Sequence, residues 1–235
     1  MASSSNSTKA HVLLLPYPSQ GHINPMLQLA QRLTAKGPMA TLVTTHFILN
    51  SIQAQSGPVR AKALSDGFDR VGFTPAVSLE AYLARFEDVG SRTLADLIKD
   101  EARSTRPFTC IVYDTFVPWA LDVARWFNLP AVAFSTQSCA VSAVYYYVNQ
   151  GLAEVPRVGS SISVAGSVPL AISDFPSFAL GDGSYPTLSG LAMKQFRLQK
   201  NDWVLFNSFD ELESEVSFFL IFFPAVSCLI RGLCG

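Results

Sequence analysis

The sequence predicts an α/β protein in which helices flank a doubly wound, Rossmann-like parallel sheet. Short apolar runs alternate with amphipathic helical patterns about six times along the chain, which is typical of βαβ units. The runs are bounded by proline or glycine and are too short to be helices, so they indicate buried parallel strands. The 235 residues are sufficient for one substantial hydrophobic core.

The first strand, loop and helix are predicted in residues 11–37, HVLLLPYPSQGHINPMLQLAQRLTAKG. The apolar run at 12–16 indicates the strand, and the prolines and glycine after it indicate a tight turn. Asn24 is a suitable N-cap, and Pro25 suits the first helical position, where a missing N–H costs no hydrogen bond. Gly37 ends the helix as a C-cap residue would. His22 is therefore expected where the loop becomes the helix.

The remaining elements repeat the order of strand, polar residue and helix. A loop rich in Ser, Gln and Gly is expected after the second strand, and a long surface loop at 151–186, where Gly, Pro and Ser are frequent. Strands are predicted at 40–45, 59–64, 109–113, 131–134 and 203–207. Helices are predicted at 78–103, from a turn at 115–119 through 126, at 137–149, at 188–199 and from FDELESEV onward.

The composition excludes several classes of partner. The net charge is −1 with mixed signs along the chain, so no basic surface for nucleic acid or an anionic membrane is predicted, and small molecules are the expected partners of a monomer. The four cysteines lack CxxC spacing and do not form a metal-ligand pattern with the three histidines. We therefore expect reduced thiols in a cytoplasmic protein.

Both chain ends have unusual composition. Residues 1–10 are polar and lack the apolar core of a signal peptide, which predicts a short disordered leader. Residues 218–230 are almost entirely apolar, but a bilayer span needs about 20 such residues. No membrane span is therefore expected.

His22 is the strongest candidate for chemistry. A helix N-terminus disfavours positive charge and so favours the neutral imidazole that a general base requires. The alternative is a structural histidine that is hydrogen-bonded within the turn. Asp114, expected at the end of another strand, favours the first interpretation, because its carboxylate would accept the His22 N–H and stabilise the imidazolium. Asp114 taken alone is equally suited to be a helix N-cap.

A His–Asp pair without a nearby nucleophile suggests that the substrate supplies the nucleophile and the enzyme removes its proton. Ser19 and Thr136 are placed to bind a ligand, although turn and cap roles suit them equally. Phe116 and Trp119 suit either an apolar acceptor pocket or the core. No GxGxxG dinucleotide fingerprint is present.

Four separated segments resemble, in sequence and in order, the amino-terminal half of plant UDP-glycosyltransferases. They are PYPSQGHINPMLQLAQRL, VYDTFVPWALDVA, SDFPSF and WVLFNSFDELE. The resemblance runs from residue 11 to about residue 216 and is greatest to the members that glucosylate carboxylates and related small acceptors. It implies the amino-terminal half of a GT-B fold and a transferase of plant secondary metabolism.

The resemblance also implies roles for individual residues. His22 acts as general base on the acceptor hydroxyl or carboxyl, and Asp114 orients it and balances its charge. The acceptor then attacks the anomeric carbon of UDP-glucose with inversion, so the UDP-sugar is a co-substrate and no cofactor or metal is implied. Ser19 matches a loop position near the acceptor, Thr136 one near the sugar, and Tyr185 an aromatic residue that contacts the acceptor.

Members of this family carry a second domain with WCPQ and HCGWNS motifs, which binds nearly all of the UDP-sugar. This sequence contains neither motif. We therefore expect an acceptor-binding domain at 11–216, an atypical apolar tail at 217–235, and transfer impaired by the absence of a donor domain. The alternative is a non-catalytic fragment that binds an acceptor or a partner.

Overall fold

A computed structural model describes residues 10–52, 57–73, 78–164, 169–180, 186–194, 202–208, 212–213 and 226–229. The chain forms two compact units. The first comprises Met1–Tyr113 and Trp119–Ala131, and the second comprises Asp114–Pro118 and Val132–Gly235.

The strands confirm the predicted fold class. In chain order they are β1 (His11–Leu15), β2 (Met39–Thr45), β3 (Arg60–Leu64), β4 (Cys110–Asp114), β5 (Ala131–Ser135), β6 (Ser161–Ile162), β7 (Leu170–Ala171), β8 (Asp202–Phe206) and β9 (Val226–Leu229). The sheet order is β3-β2-β1-β4-β5-β8-β9, and β6 pairs with β7 separately as an antiparallel hairpin. The pairs β1–β2, β1–β4, β2–β3, β5–β8 and β8–β9 are parallel. This is the strand order of a doubly wound sheet, in which ligands bind beyond the carboxyl ends of the strands.

The helices are α1 (Gln20–Ala35), α2 (His46–Ile52), α3 (Leu79–Ala102), α4 (Trp119–Trp126), α5 (Cys139–Asn149) and α6 (Pro186–Lys194). The prediction of a loop after β2 is wrong, because α2 begins directly after that strand. The Thr45 hydroxyl accepts the Ile48 N–H at 3.3 Å, so a residue that ends a strand also caps a helix. Among the described residues, no helix has the length and apolarity needed to cross a bilayer.

Helix α1 begins earlier than predicted. Ser19 is its N-cap, and the Ile23 N–H donates to the Ser19 carbonyl at 2.9 Å, which closes the first turn. Asn24 is therefore not the cap, and Pro25 lies inside the helix. The proline leaves the Gly21 carbonyl without a helical donor, and Gly21 is exposed to water, which lowers the cost. Gly37 ends the helix as predicted, with φ +109°.

Helix α3 covers the first unit and has the predicted start, since the Ser78 hydroxyl accepts the Ala81 N–H at 3.2 Å. Its buried residues are Tyr82, Phe86, Gly90, Leu94, Ile98 and Glu101. Trp119 packs edge-on against Phe86 with ring centroids 5.2 Å apart. A Cβ on Gly90 would lie 3.0 Å from the Trp119 ring, so glycine permits this close packing. Trp119, at 7% exposed, is thus a core residue.

The segment 151–186 of the second unit, predicted as a long loop, contains regular secondary structure. The β6–β7 hairpin and two short 3₁₀ helices, Ile172–Asp174 and Ser177–Ala179, lie within that segment. Part of the predicted atypical tail is also ordered as a strand, because β9 pairs with β8 in the register Asp202↔Val226. Apolar sequence there extends the sheet at its edge.

Candidate active site

Ser19 and His22 lie where β1 passes into α1, in the first unit. The Ser19 carbonyl accepts the His22 N–H at 3.0 Å, whereas the Ser19 hydroxyl makes no capping hydrogen bond. His22 is half-buried, and the Tyr17 ring meets its ring edge-on with centroids 5.2 Å apart. The imidazole is therefore positioned by a helical first turn and an aromatic neighbour.

A buried carboxylate, Asp66, lies beyond the carboxyl end of β3. Asp66 is 1% exposed; its Oδ1 accepts the Phe68 N–H at 2.8 Å, and its Oδ2 accepts the Tyr82 hydroxyl at 3.0 Å. Burial raises the pKa of Tyr82 far above its ordinary value, and the charge and hydrogen bond of Asp66, with Tyr17, act in the same direction. Tyr82 is thus a permanent donor that fixes the 65–68 turn.

Exposed apolar side chains also lie beyond the carboxyl ends of β2 and β3 in the first unit. Phe47, Val71 and Phe73 are 40%, 58% and 51% exposed, and we call them the apolar rim. Gly72 has φ +62°, and a Cβ there would overlap the Phe47 ring, so only glycine suits this position. The rim offers accessible apolar surface, which is the main constituent of small-molecule sites.

Asp114 ends β4 and belongs to the second unit. It is fully buried, and its Oδ1 accepts the Phe116 N–H at 2.9 Å while its carbonyl accepts the Val117 N–H at 2.8 Å. Because α4 begins only at Trp119, Asp114 is not the N-cap of that helix and instead forms an Asx turn. Phe116 is 5% exposed, so its backbone fixes the carboxylate and its ring is buried.

Thr136 follows β5 in the second unit and opens the three-residue loop 136–138. The carbonyl of Ser135, just before it, accepts the Asn207 N–H at 2.9 Å. Ser138, at the other end, caps α5 by accepting the Val141 N–H at 3.3 Å. The loop is therefore short and held at both ends. Tyr185 lies outside the described residues.

Four of the predicted site residues lie in two turns, each fixed by hydrogen bonds of its backbone. Ser19 and His22 share one turn, and Asp114 and Phe116 share another. In the register of β1 with β4, Leu15 pairs with Tyr113. The pairing of the His22 side chain with Asp114 stays a prediction.

Sequence reasoning missed the roles of two carboxylates, Asp66 and Glu213. Asp66 lies in a recognised Asp-Gly turn, and Gly67 has the positive φ of +82° that this pair predicts, yet the partner Tyr82 is 16 residues away. Glu213 lies in the FDELE segment, but the amides it accepts from are 74 and 73 residues away. The local sequence gives no signal for either pairing.

Comparison with known proteins shows which proteins the chain resembles. The structure of Os79 from O. sativa in complex with UDP superposes with a TM-score of 0.82 at 36% identity, over 92% of this chain and 49% of that chain. The Indole-3-acetate beta-glucosyltransferase of Zea mays is 47% identical over 220 residues, which are 88% of this chain and 47% of that protein. The chain is similar to the amino-terminal half of plant UDP-glycosyltransferases.

UDP-glycosyltransferase 74F2 of Arabidopsis thaliana is likewise 47% identical, over 210 residues that make up 87% of this chain and 45% of that protein. This chain thus spans about half the length of the curated UDP-glycosyltransferases it matches. No protein-family profile matches it. The resemblance predicted from the four segments is confirmed, and the fold is that of the corresponding halves of the solved relatives.

Proposed function

We propose that this chain supplies the acceptor side of an inverting UDP-glucosyltransferase, with His22 as general base and Asp114 as its orienting partner. The observation that carries the proposal is the placement of His22 in the first turn of α1, within a chain 47% identical to a named glucosyltransferase. Asp114 is buried at the end of β4, which suits a carboxylate that orients a histidine. The similarity does not favour a non-catalytic fragment.

In the proposed reaction, a ring nitrogen of His22 takes the proton from an acceptor hydroxyl as its oxygen attacks the anomeric carbon of UDP-glucose. The new C–O bond forms as the bond to the UDP oxygen breaks, so a single displacement inverts the anomeric centre and UDP leaves with the electron pair. Asp114 stabilises the imidazolium that forms. The UDP-sugar is a co-substrate, and the proposed step uses no metal.

The acceptor class follows from relatives and from the apolar rim. One relative is named for indole-3-acetate, and a solved Os79 structure holds a trichothecene. Phe47, Val71 and Phe73 provide exposed apolar surface beyond β2 and β3. We therefore propose a small, largely apolar plant metabolite with a hydroxyl or carboxyl group, with Ser19, Phe116 and Tyr185 on the acceptor side and Thr136 near the sugar.

A hydroxyl acceptor and a carboxyl acceptor need His22 to different extents. A carboxylic acid with an ordinary pKa of about 4 is already ionised at neutral pH, whereas an alcohol or a phenol is not. General-base catalysis should therefore matter more for the hydroxyl acceptor. Replacing His22 with Ala should slow transfer to a hydroxyl acceptor by about 100-fold to 10,000-fold, and transfer to indole-3-acetate by clearly less.

The assay uses the 235-residue chain and, in parallel, a chimera in which this chain's residues are joined, where the alignment ends, to the remaining part of the maize relative. Product is detected by mass from UDP-glucose with each acceptor. His46→Ala is the matched control, because His46 is exposed on α2. The absence of glucoside from both forms would overturn the proposed function, and equal losses for both acceptor types would overturn the base assignment.

We also propose that the protein acts as a cytoplasmic monomer. Cys110 and Cys139 form no disulfide with another described residue, which suits a reducing compartment. Light scattering of the purified chain tests the oligomeric state, and a dimer at working concentration would contradict it.

A further inference from the structure

The FDELE segment contributes a carboxylate to the start of α5. Oε2 of Glu213 accepts the Cys139 N–H at 2.9 Å, and Oε1 accepts the Ala140 N–H at 3.0 Å. The Ser208 hydroxyl donates a hydrogen bond to the same carboxylate. Both oxygens are thus used in one bidentate, charge-assisted contact.

This carboxylate completes the hydrogen bonding of the α5 N-terminus. The next two amides are bonded locally, because Val141 N–H donates to the Ser138 hydroxyl at 3.3 Å and Ser142 N–H to the Ser138 carbonyl at 3.0 Å. The Ser142 bond is the first regular bond of the helix, so with the two amides that Glu213 accepts, the first three amides of α5, at 139–141, all have partners. No first-turn amide of α5 is left to bind a phosphate group.

Glu213 also supplies a charge that α5 lacks. The first turn of this helix contains no acidic residue, although a negative charge is stabilising there. Burial alone would raise the pKa of Glu213, but the hydrogen bonds from Ser208, Ala140 and Cys139 outweigh it, so the pKa lies below its ordinary value. The carboxylate is therefore ionised at neutral pH.

The segment that carries Glu213 contacts both ends of the loop at 136–138. Asn207 donates its N–H to the Ser135 carbonyl before the loop, and Glu213 accepts the two amides directly after it. Ser135 and Ser142 are also hydrogen-bonded through their buried hydroxyls at 3.2 Å. Asn207, Glu213 and α5 thus set the path of the loop that begins with Thr136.

We propose that Glu213 is a positioning residue that fixes the 136–138 loop and, through it, the Thr136 hydroxyl that serves the sugar donor. The link to the donor rests on the proposed function, whereas the link to the loop rests on the contacts above. Removing the carboxylate leaves two amides without acceptors at the point where the loop joins α5, so the loop gains freedom while the core of the unit is kept.

The first test measures amide hydrogen exchange in the 235-residue chain. In the Glu213→Ala variant, exchange of the Cys139 and Ala140 amides and of the 136–138 loop should rise about tenfold or more. Added acetate should restore part of the protection, because a small carboxylate fits the vacated helix N-terminus. Glu154→Ala removes the same charge from an exposed position of the same unit and should change nothing. Unchanged exchange in the loop of Glu213→Ala would overturn the proposal.

The second test is a double-mutant cycle in the chimera, with Glu213→Ala, Thr136→Ala and the double variant. We expect Glu213→Ala to raise the KM for UDP-glucose about tenfold and to lower kcat less. If Glu213 acts through Thr136, the double variant should lose no more than Thr136→Ala alone. Independent, additive losses would contradict that route.

The two tests separate the proposals. If the unmodified chimera transfers no sugar, the proposed function fails, and hydrogen exchange with acetate rescue still decides whether Glu213 positions the loop. If transfer is normal in Glu213→Ala while the loop loses protection, Glu213 orders the loop but does not serve the donor. That result would overturn the part of the proposal that links the loop to the donor.

Discussion

Two histidines of the first unit, one at the start of β1 and one beyond its end, show how position decides what a side chain does. His11 begins β1 and is fully buried. Its Nδ1 donates to the Arg106 carbonyl at 2.8 Å, which leaves Nε2 to accept from the Thr41 hydroxyl at 2.8 Å. His22, beyond the other end of β1, is half-buried on a helical turn. One histidine is enclosed by hydrogen bonds at the amino end of the sheet, and the other lies at the carboxyl end, where ligands bind.

The residues around the two ends of β1 also differ in burial and in the contacts they make. Near His11, Glu101 is 5% exposed and forms ion pairs with Lys62 and with Arg60, the latter at 3.6 Å. Burial opposes the charge of Glu101, yet Lys62 and its neighbours hold its pKa below the ordinary value. The carboxyl end has instead the exposed apolar rim. The described contacts at the amino end therefore stabilise the fold, whereas apolar side chains at the carboxyl end are exposed.

The largest effect is expected at Asp114. Asp114→Asn keeps an oxygen for the Phe116 N–H but loses the charge, so the chain should fold while transfer by the chimera falls about 100-fold to 10,000-fold. Asp174→Asn is the control, because Asp174 accepts a backbone N–H in an exposed turn of the same unit. Steady-state kcat/KM measures the effect. A loss below about threefold would show that Asp114 only shapes its turn.

At the amino end the expected effect is on stability. His11→Ala leaves the Thr41 hydroxyl and the Arg106 carbonyl without partners, and removes the ring that packs on Phe108 at 4.5 Å between centroids. The free energy of unfolding should fall by about 2–4 kcal/mol. Urea unfolding of the 235-residue chain measures it, with exposed His46→Ala as the control. A change under about 0.5 kcal/mol would remove the structural role of His11.

A smaller loss of unfolding free energy is expected from Tyr82, whose hydroxyl donates to Asp66 beyond the carboxyl end of β3. Tyr82→Phe keeps the packing of the ring but removes the donor to buried Asp66, which should cost about 1–3 kcal/mol. The rim should persist, so acceptor binding by calorimetry should weaken only slightly. A large loss of binding with unchanged stability would instead place the Tyr82 hydroxyl among the groups that contact the acceptor.

The smallest effect is a dependence of stability on pH. Burial lowers the pKa of His11 from its ordinary value of 6.5, so the unfolded chain binds a proton more readily than the folded chain. The contribution of His11 is therefore complete above about pH 6.5 and is lost as the pH falls through the lower folded value. Unfolding curves between pH 7.5 and about 5 should show this decline, and His11→Asn should flatten it. An unchanged slope in His11→Asn would assign the decline to other groups.

The sheet could be predicted from sequence because its strands are short buried runs with clear boundaries. Residues 109–113 and 203–207, for example, were predicted within one residue of β4 and β8. Local rules failed where tertiary packing overrides them. Pro25 suggested a helix start but lies inside α1, because the helix begins directly after Ser19. Helix α2 was missed because its cap, Thr45, is also the last residue of a strand.

The candidate site was predictable only in part. His22 and Asp114 could be selected because each follows a strand with a residue type suited to proton transfer. The supporting contacts join distant parts of the chain: His11 reaches Arg106 across 95 residues and Thr41 across 30, and Glu213 reaches Cys139 across 74. No periodicity or spacing reveals such pairs, since the fold alone brings them together.

The central claim is that His11, at the amino end of β1, stabilises the fold, whereas His22, beyond its carboxyl end, takes part in the reaction. Its most direct test is the rate of glucosyl transfer to a hydroxyl acceptor by the His22→Ala and His11→Ala chimeras, measured side by side at a temperature where both are folded. We expect His22→Ala to lose about 100-fold or more and His11→Ala to stay within about threefold of the unmodified chimera. Transfer retained by His22→Ala, or lost equally in both variants, would contradict the claim.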